Sequence, residues 1–204
     1  MLEAIDLQCV RGERTLFSGL DFILERGALL RVAGKNGSGK TSLLRIVCGL
    51  TPPAHGEIRW EGTNVRSLKE DYAKRLVYIG HANALKDDLT ALENLAIASE
   101  LAGLTADTGK AQDALDRFGV GMCARLPTRV LSQGQKRRVA LARLALSGEL
   151  PLWVLDEPFT ALDVAAVDDL QSLIASHVHR GGSIMLTTHQ EVAIAAAKAG
   201  RLDL

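Results

Sequence analysis

The short apolar run Leu29–Ala33 flows into Gly34-Lys35-Asn36-Gly37-Ser38-Gly39-Lys40-Thr41, and no other string restricts the fold of this chain as strongly. It matches G-x-x-x-x-G-K-[ST] in full, with an apolar strand before it and a helical pattern after it. The apolar residues Leu43, Leu44, Ile46, Val47 and Leu50 follow helical spacing, and Thr51-Pro52-Pro53 stops them. Glycines let the backbone curl until successive N–H groups face a concave centre at a helix N-terminus, which suits phosphate oxygens. Lys40 then reaches the β/γ-phosphates and the Thr41 hydroxyl suits Mg²⁺. The phosphate-binding set is read as Gly34, Lys35, Asn36, Gly37, Ser38, Gly39, Lys40, Thr41 and Ser42. With average residue usage such a string arises by chance in about one chain per hundred of this length, and its context lowers that further.

The rest of the chain supplies strands and helices in alternation. Leu2–Leu7, Leu20–Leu24, Leu76–Ile79, Leu152–Leu155 and Ser183–Thr187 read as strands, and Glu57–Trp60, the turn Glu61-Gly62-Thr63 and Val65 read as a hairpin. Residues 90–150 change character: Ala91–Leu101, Gly109–Phe118 and Gly134–Leu146 are rich in Ala and Leu at helical spacing. A helix is expected over Ala165–Val178, and after His189 a last helix leading to a short strand near Arg201–Leu204. This grammar predicts an α/β fold with a largely parallel sheet covered on both faces and a helical insert.

Composition narrows the functional classes. The chain has 204 residues, with 24 Lys and Arg balanced by 24 Asp and Glu. Zero net charge argues against a nucleic-acid partner, which needs a basic excess. No apolar run approaches the length of a bilayer span, and Met1–Gln8, with Glu3 and Asp6, lacks the basic start of a secretory signal. Cys9, Cys48 and Cys123 fit neither a CxxC pair nor a zinc spacing and read as reduced, buried thiols.

Two further segments carry chemistry. Leu152-Trp153-Val154-Leu155 runs into Asp156-Glu157, placing two carboxylates at the carboxyl edge of a parallel sheet, where ligands bind in such folds. Asp156 is expected in the Mg²⁺ shell and Glu157 to orient and polarise an attacking water. Leu131-Ser132-Gln133-Gly134-Gln135 opens a helix with a hydroxyl and free backbone N–H groups, an anion site or an ordinary N-cap.

Together these three elements resemble the ATP-binding cassette (ABC) ATPase family, whose signature reads LSGGQ; here Gln133 stands at its third position. The resemblance covers essentially the whole chain. It implies one P-loop NTPase cassette over residues 1–204, with a RecA-like, mostly parallel core, an N-terminal antiparallel β subdomain and a helical subdomain over about 90–150. It implies ATP with Mg²⁺, and a second cassette facing the first head to tail, each site joining one phosphate loop to the partner's Ser132, Gly134 and Gln135. By the same resemblance Ala161-Leu162-Asp163 is the D-loop and His189, after Thr187-Thr188, the switch histidine. Two positions depart from the family. Cys9-Val10-Arg11-Gly12 lacks the aromatic residue that stacks on adenine, with Arg11 near its place, and His81 stands where the family has the Q-loop glutamine.

Closer similarity is to the ATP-binding subunits of bacterial cytochrome c maturation (haem exporter) complexes. It is carried by Glu13–Leu20, Tyr78-Ile79-Gly80-His81, Leu89–Leu95 and Leu155–Asp163. It implies a separate multi-span membrane permease, haem-handling partners and a peripheral place on the cytoplasmic face of the inner membrane. Only 15 residues follow His189, so no regulatory domain is expected. An exporter of a drug or lipid, a soluble ABC ATPase and a non-hydrolysing scaffold are the competing readings. His177 and His179, Trp60 and Trp153 read as structural, and Lys136-Arg137-Arg138 as the solvated face of a helix.

Overall fold

The computed structural model describes residues 1–105, 107–190 and 192–204. Its elements in chain order are β1 (Leu2–Arg11), β2 (Arg14–Leu24), β3 (Ala28–Ala33), α1 (Lys40–Val47), β4 (His55–Trp60), β5 (Thr63–Asn64), α2 (Val65–Leu68), α3 (Glu70–Ala73), β6 (Leu76–Ile79), α4 (Ala91–Leu101), α5 (Thr108–Arg117), α6 (Gln133–Leu146), β7 (Leu152–Asp156), α7 (Val164–His179), β8 (Ser183–Thr187) and β9 (Lys198–Asp203). They form two sheets. One is antiparallel in the order β2-β1-β4-β5; the other is parallel throughout in the order β6-β7-β8-β3-β9.

Strands β7 and β8 are buried at every position, as expected of central parallel strands covered on both faces. Alternation then sorts their side chains. Trp153, Leu155, Ile184 and Leu186 face a core built with α4 to α7, while Leu152, Val154 and Met185 face a second core with α1 and the antiparallel sheet. The parallel sheet is the shared wall between these two cores, and its carboxyl edge lies where β3 and β7 hand the chain to their loops.

The expected strands and the helices of the insert are present. Strands β1 and β2 run longer than their apolar stretches, because cross-strand hydrogen bonds carry pairing up to Arg11 and Arg14. Val65 begins the short helix α2, capped by the Asn64 side chain, instead of extending the hairpin. Among the described residues the last helix is absent. Residues 192–196 hold no regular structure, and Val192, Ile194 and Ala196 are half-buried against the core while Ala193 and Ala195 are exposed. That alternation has a period of two, so coiling into a helix would lift one of the anchors off the core. Gln171 fixes the segment by donating to the Ala193 carbonyl at 2.8 Å.

Cys9, Cys48 and Cys123 are buried free thiols, and Trp60 and Trp153 are core residues. His177 is 1% exposed and its ring stacks on Trp153 at 3.9 Å and 9°. Burial, with the Arg180 cation adding to it, lowers its pKa to about 4. The unfolded imidazole takes up a proton near pH 6.5, the folded one only well below that. Folding is therefore favoured by this group above pH 6.5 and loses its contribution as pH falls toward 4, by on the order of 3 kcal/mol in total. His177→Phe keeps the stack and removes the titration. Its melting temperature should decline between pH 6.5 and 4.5 less than that of the unaltered chain, by roughly 5–10 °C, as read by circular dichroism.

Candidate functional site

The loop between β3 and α1 needs glycine for steric reasons. Gly34 has φ 150°, and a Cβ there would lie 2.6 Å from Ser38 Oγ and 2.9 Å from the Leu204 carbonyl. Gly39, at φ 108°, would bring a Cβ to 3.1 Å from the side chains of Leu16 and Phe17. Gly39 is also the N-cap of α1 and offers no capping side chain, and the first turn holds no acid. The amide dipoles there remain directed at the loop's concavity, an arrangement suited to an anion. Lys40, 9% exposed, donates through Nζ to the Gly34 carbonyl at 2.8 Å and the Lys35 carbonyl at 3.1 Å, so its cation sits over the loop.

A cleft of about 320 Å³ joins this loop to the paired acids. Asn36, Gly37, Gly39, Lys40, Thr41 and Ser42 line it together with Asp156, Glu157 and His189, and Arg11 and Leu16 complete it, with no Phe, Tyr or Trp among these lining residues. Asp156 is 2% exposed. Its Oδ2 accepts from Thr41 Oγ1 at 2.8 Å and its Oδ1 from Thr187 Oγ1 at 2.7 Å. Thr187 Oγ1 in turn accepts from the Glu157 amide at 2.9 Å.

Glu157 has φ 48°, unfavourable for a residue with a Cβ by roughly 1–2 kcal/mol. Its surroundings hold it there: its amide donates to Thr187, and its carbonyl accepts from Arg137 at 2.8 Å. The twist aims the carboxylate at His189, whose amide donates to Oε2 at 3.2 Å and whose Nε2 lies 3.4 Å from Oε1. On the sheet edge beside them, burial and then the Asp156 carboxylate push the Tyr78 phenol up to about 12.

Ser132 and Gln135 form a capping box at the start of α6. The Gln135 amide donates to Ser132 Oγ at 3.2 Å, and the Ser132 amide donates to Gln135 Oε1 at 2.9 Å. A Cβ on Gly134 would lie 3.4 Å from the Ala161 carbonyl, so this segment and the loop ahead of α7 are neighbours. Asp163 caps α7 by accepting from the Ala166 amide at 3.0 Å and pairs with Arg138. That amide first, and the Arg138 guanidinium after it, hold its carboxyl below the usual range. Ser132, Gly134, Gln135 and Asp163 do not line the cleft of their own chain. His81 is exposed on the loop after β6, outside the cleft as well.

Arg137 corrects the sequence reading. It is 5% exposed, not part of a solvated face. It lies on the same helical stripe as Ala140, Leu141 and Leu144, all buried, and that spacing was the available signal. Its guanidinium donates to the Gly80 carbonyl at 2.8 Å, Asn83 Oδ1 at 3.4 Å, the Asp156 carbonyl at 3.1 Å and the Glu157 carbonyl at 2.8 Å. One side chain thus ties the helix opened by Ser132 to the loop carrying His81 and to the acids. Lys136, half-buried, reinforces the first link by pairing with Asp87 at 2.8 Å, and only Arg138 of the three extends toward Asp163.

A phosphate-suited loop facing a buried carboxylate at the edge of a parallel sheet defines a nucleoside-triphosphate-binding protein. Comparison gives the family: residues 17–160 match the ABC transporter family, and the chain belongs to it. The cytochrome c biogenesis ATP-binding export protein CcmA of Nitrosospira multiformis is 58% identical over 100% of this chain and 98% of its own length. That of Escherichia coli is 46% identical over 100% and 96%. Among solved structures, an ATP-binding subunit of an ABC transporter superposes with TM-score 0.83 at 28% identity, covering 92% of this chain and 79% of its own. A bacterial ABC transporter cassette solved as a dimer shares the fold, with TM-score 0.87 at 24% identity over 100% of this chain and 94% of its own. No helix among the described residues is long and apolar enough to cross a membrane.

Removing the Arg137 guanidinium leaves the carbonyls of Gly80, Asp156 and Glu157 without their donor. A fully buried acceptor left alone, as the Asp156 carbonyl would be, costs about 1–3 kcal/mol, and the part-buried carbonyls of Gly80 and Glu157 add to that. Arg137→Met should therefore lower stability by about 3 kcal/mol or more, visible as a fall of roughly 6–12 °C in melting temperature.

Proposed function

We propose that residues 1–204 form one ATP-binding domain that hydrolyses ATP to energise haem export or delivery in c-type cytochrome biogenesis. The observation that carries the ATPase reading is the single cleft that brings Lys40 and Thr41 together with Asp156, Glu157 and His189. The export reading rests on the relatives, whose names give them as export proteins of cytochrome c biogenesis. The chain then works at the cytoplasmic face of the bacterial inner membrane, beside a separate multi-span permease and haem-handling proteins.

In this reading the loop from Gly34 to Ser42 cradles the triphosphate, its amides and Lys40 answering the charge of the phosphates. Thr41 and Asp156 offer only oxygen, from one hydroxyl and one carboxylate 2.8 Å apart. That donor set fits Mg²⁺, which is held by few protein ligands and completes its shell with phosphate and water. When bound, Mg²⁺ would neutralise charge on the phosphate oxygens.

Glu157 orients the water that attacks the terminal phosphate, its carboxylate held in place by the His189 amide. His189 is placed beside that carboxylate to contact the same phosphate. Arg11, in place of an aromatic residue, lies at the cleft to meet the base with its guanidinium plane.

Ser132, Gly134 and Gln135 do not line their own cleft, which supports a head-to-tail pair of cassettes. Each chain's signature segment then serves the partner's phosphates, with Asp163 setting the register between them. The loop from His81, strapped to α6 by Arg137 and Lys136, carries closure toward the permease.

Glu157→Gln keeps the shape and removes the charge. It should bind ATP, accumulate as an ATP-dependent dimer by light scattering, and lose turnover by about 10²-fold or more; undiminished hydrolysis would overturn the role of Glu157. For the transport role, a bacterium carrying Glu157→Gln as its sole copy should lose haem-stained c-type cytochromes while keeping b-type ones. Normal c-type levels in that strain would move the chain to another export substrate.

A further inference from the structure

Strand β3 is apolar except at one position. Arg31 sits between Leu30 and Val32, both buried, and pairs in register with Leu186 on β8 and Arg201 on β9. Residues two apart share a face, so Arg31 lies on the side of Leu29, toward the core that also holds Leu186 and α7. A guanidinium in such a place requires acceptors. Arg31 finds them in the loop beyond β8, where one terminal nitrogen donates to the Thr188 carbonyl at 3.2 Å and to the Gln190 carbonyl at 3.0 Å.

Those two carbonyls lie on either side of His189. The same stretch is held at a further point, because the His189 amide donates to Glu157 Oε2 at 3.2 Å. It is also closed locally by the Gln190 amide, which donates to Thr188 Oγ1 at 3.0 Å. The backbone around His189 is therefore fixed between a cation rooted in the central sheet and a carboxylate in the cleft. Its imidazole Nε2 comes within 3.4 Å of that carboxylate as a result. Arg31 itself does not line the cleft.

We propose that Arg31 is a positioning residue for ATP turnover: by clamping the carbonyls before and after His189, it sets where the imidazole stands relative to Glu157. This rests on the reading of His189 given above. Displacing a reacting group by about an ångström can cost as much as 10²-fold in rate, and the clamp is one side chain deep, so a loss of about tenfold is expected.

The test uses the full chain with any membrane subunits that purify with it, comparing Arg31→Met and Arg31→Lys. Arg31→Met, similar in length but without donors, should lower kcat about tenfold with KM for ATP within twofold. Arg31→Lys, which can still donate to either carbonyl, should recover most of the loss. In the chain alone, the imidazole proton resonances of the five histidines supply a readout that loss of general stability would not mimic. His189 should shift in Arg31→Met while His55, His81, His177 and His179 stay in place. A kcat within twofold of the unaltered chain, or an unmoved His189 resonance, overturns the proposal. So does a change spread over all five resonances, which would make Arg31 a general stabiliser of the sheet. His189→Ala separates the two levels: full turnover there removes the role of His189, while the resonance still decides whether Arg31 positions it.

Discussion

The buried carboxylate of Asp156 is the point on which the cleft depends. Removed from water, such a group needs a hydrogen bond for each oxygen. It takes one from Thr41 at the start of α1 and one from Thr187 at the end of β8. These three residues stand at the ends of three elements, β7 and its paired neighbour β8 together with α1. Their shared bonds bring the phosphate-suited loop, the acids and the His189 loop to one place. The twist at Glu157 follows from the same node, since the threonine that serves Asp156 also receives the Glu157 amide.

A second layer of bonds surrounds that node and is supplied by two arginines from different elements. Arg137 approaches from α6 and holds the carbonyls of both acids; Arg31 approaches from β3 and holds the carbonyls around His189. Neither lines the cleft, and each satisfies backbone oxygens that loops at a sheet edge would otherwise leave without partners. The cost of burying a guanidinium is met by several carbonyls at once. For Arg137, burial works against the charge, and the nearby Asp156 and Glu157 carboxylates work in its favour.

What could be read in the sequence was whatever depends on local pattern. The eight-residue loop, the apolar strand ending in two acids and the helical spacing of residues 90–150 each carry their own signature, and each is found where it was expected. Arg137 was misread because three consecutive basic residues look like a wet surface, although its spacing from Leu141 and Leu144 puts it on the buried stripe of α6. The last helix expected after His189 does not form over 192–196, because the anchors Val192, Ile194 and Ala196 obey the demands of a core that lies elsewhere in the chain. Arg31 carries no local signal beyond one charge in an apolar strand, since its acceptors are more than 150 residues away. Long-range satisfaction of polar groups is what a single sequence shows least.

The capping box at Ser132 has a further consequence for the helix it opens. A hydroxyl owns one proton and two lone pairs, and the box uses it only as an acceptor, from the Gln135 amide. Among the described residues its proton has no acceptor, and at the exposed helix end it is free to rotate toward one that arrives. An anion arriving there can accept a hydrogen bond from that hydroxyl without disturbing the bond that keeps α6 wound. Stability of the helix and affinity for a ligand then draw on different halves of the same oxygen, and neither has to be surrendered for the other.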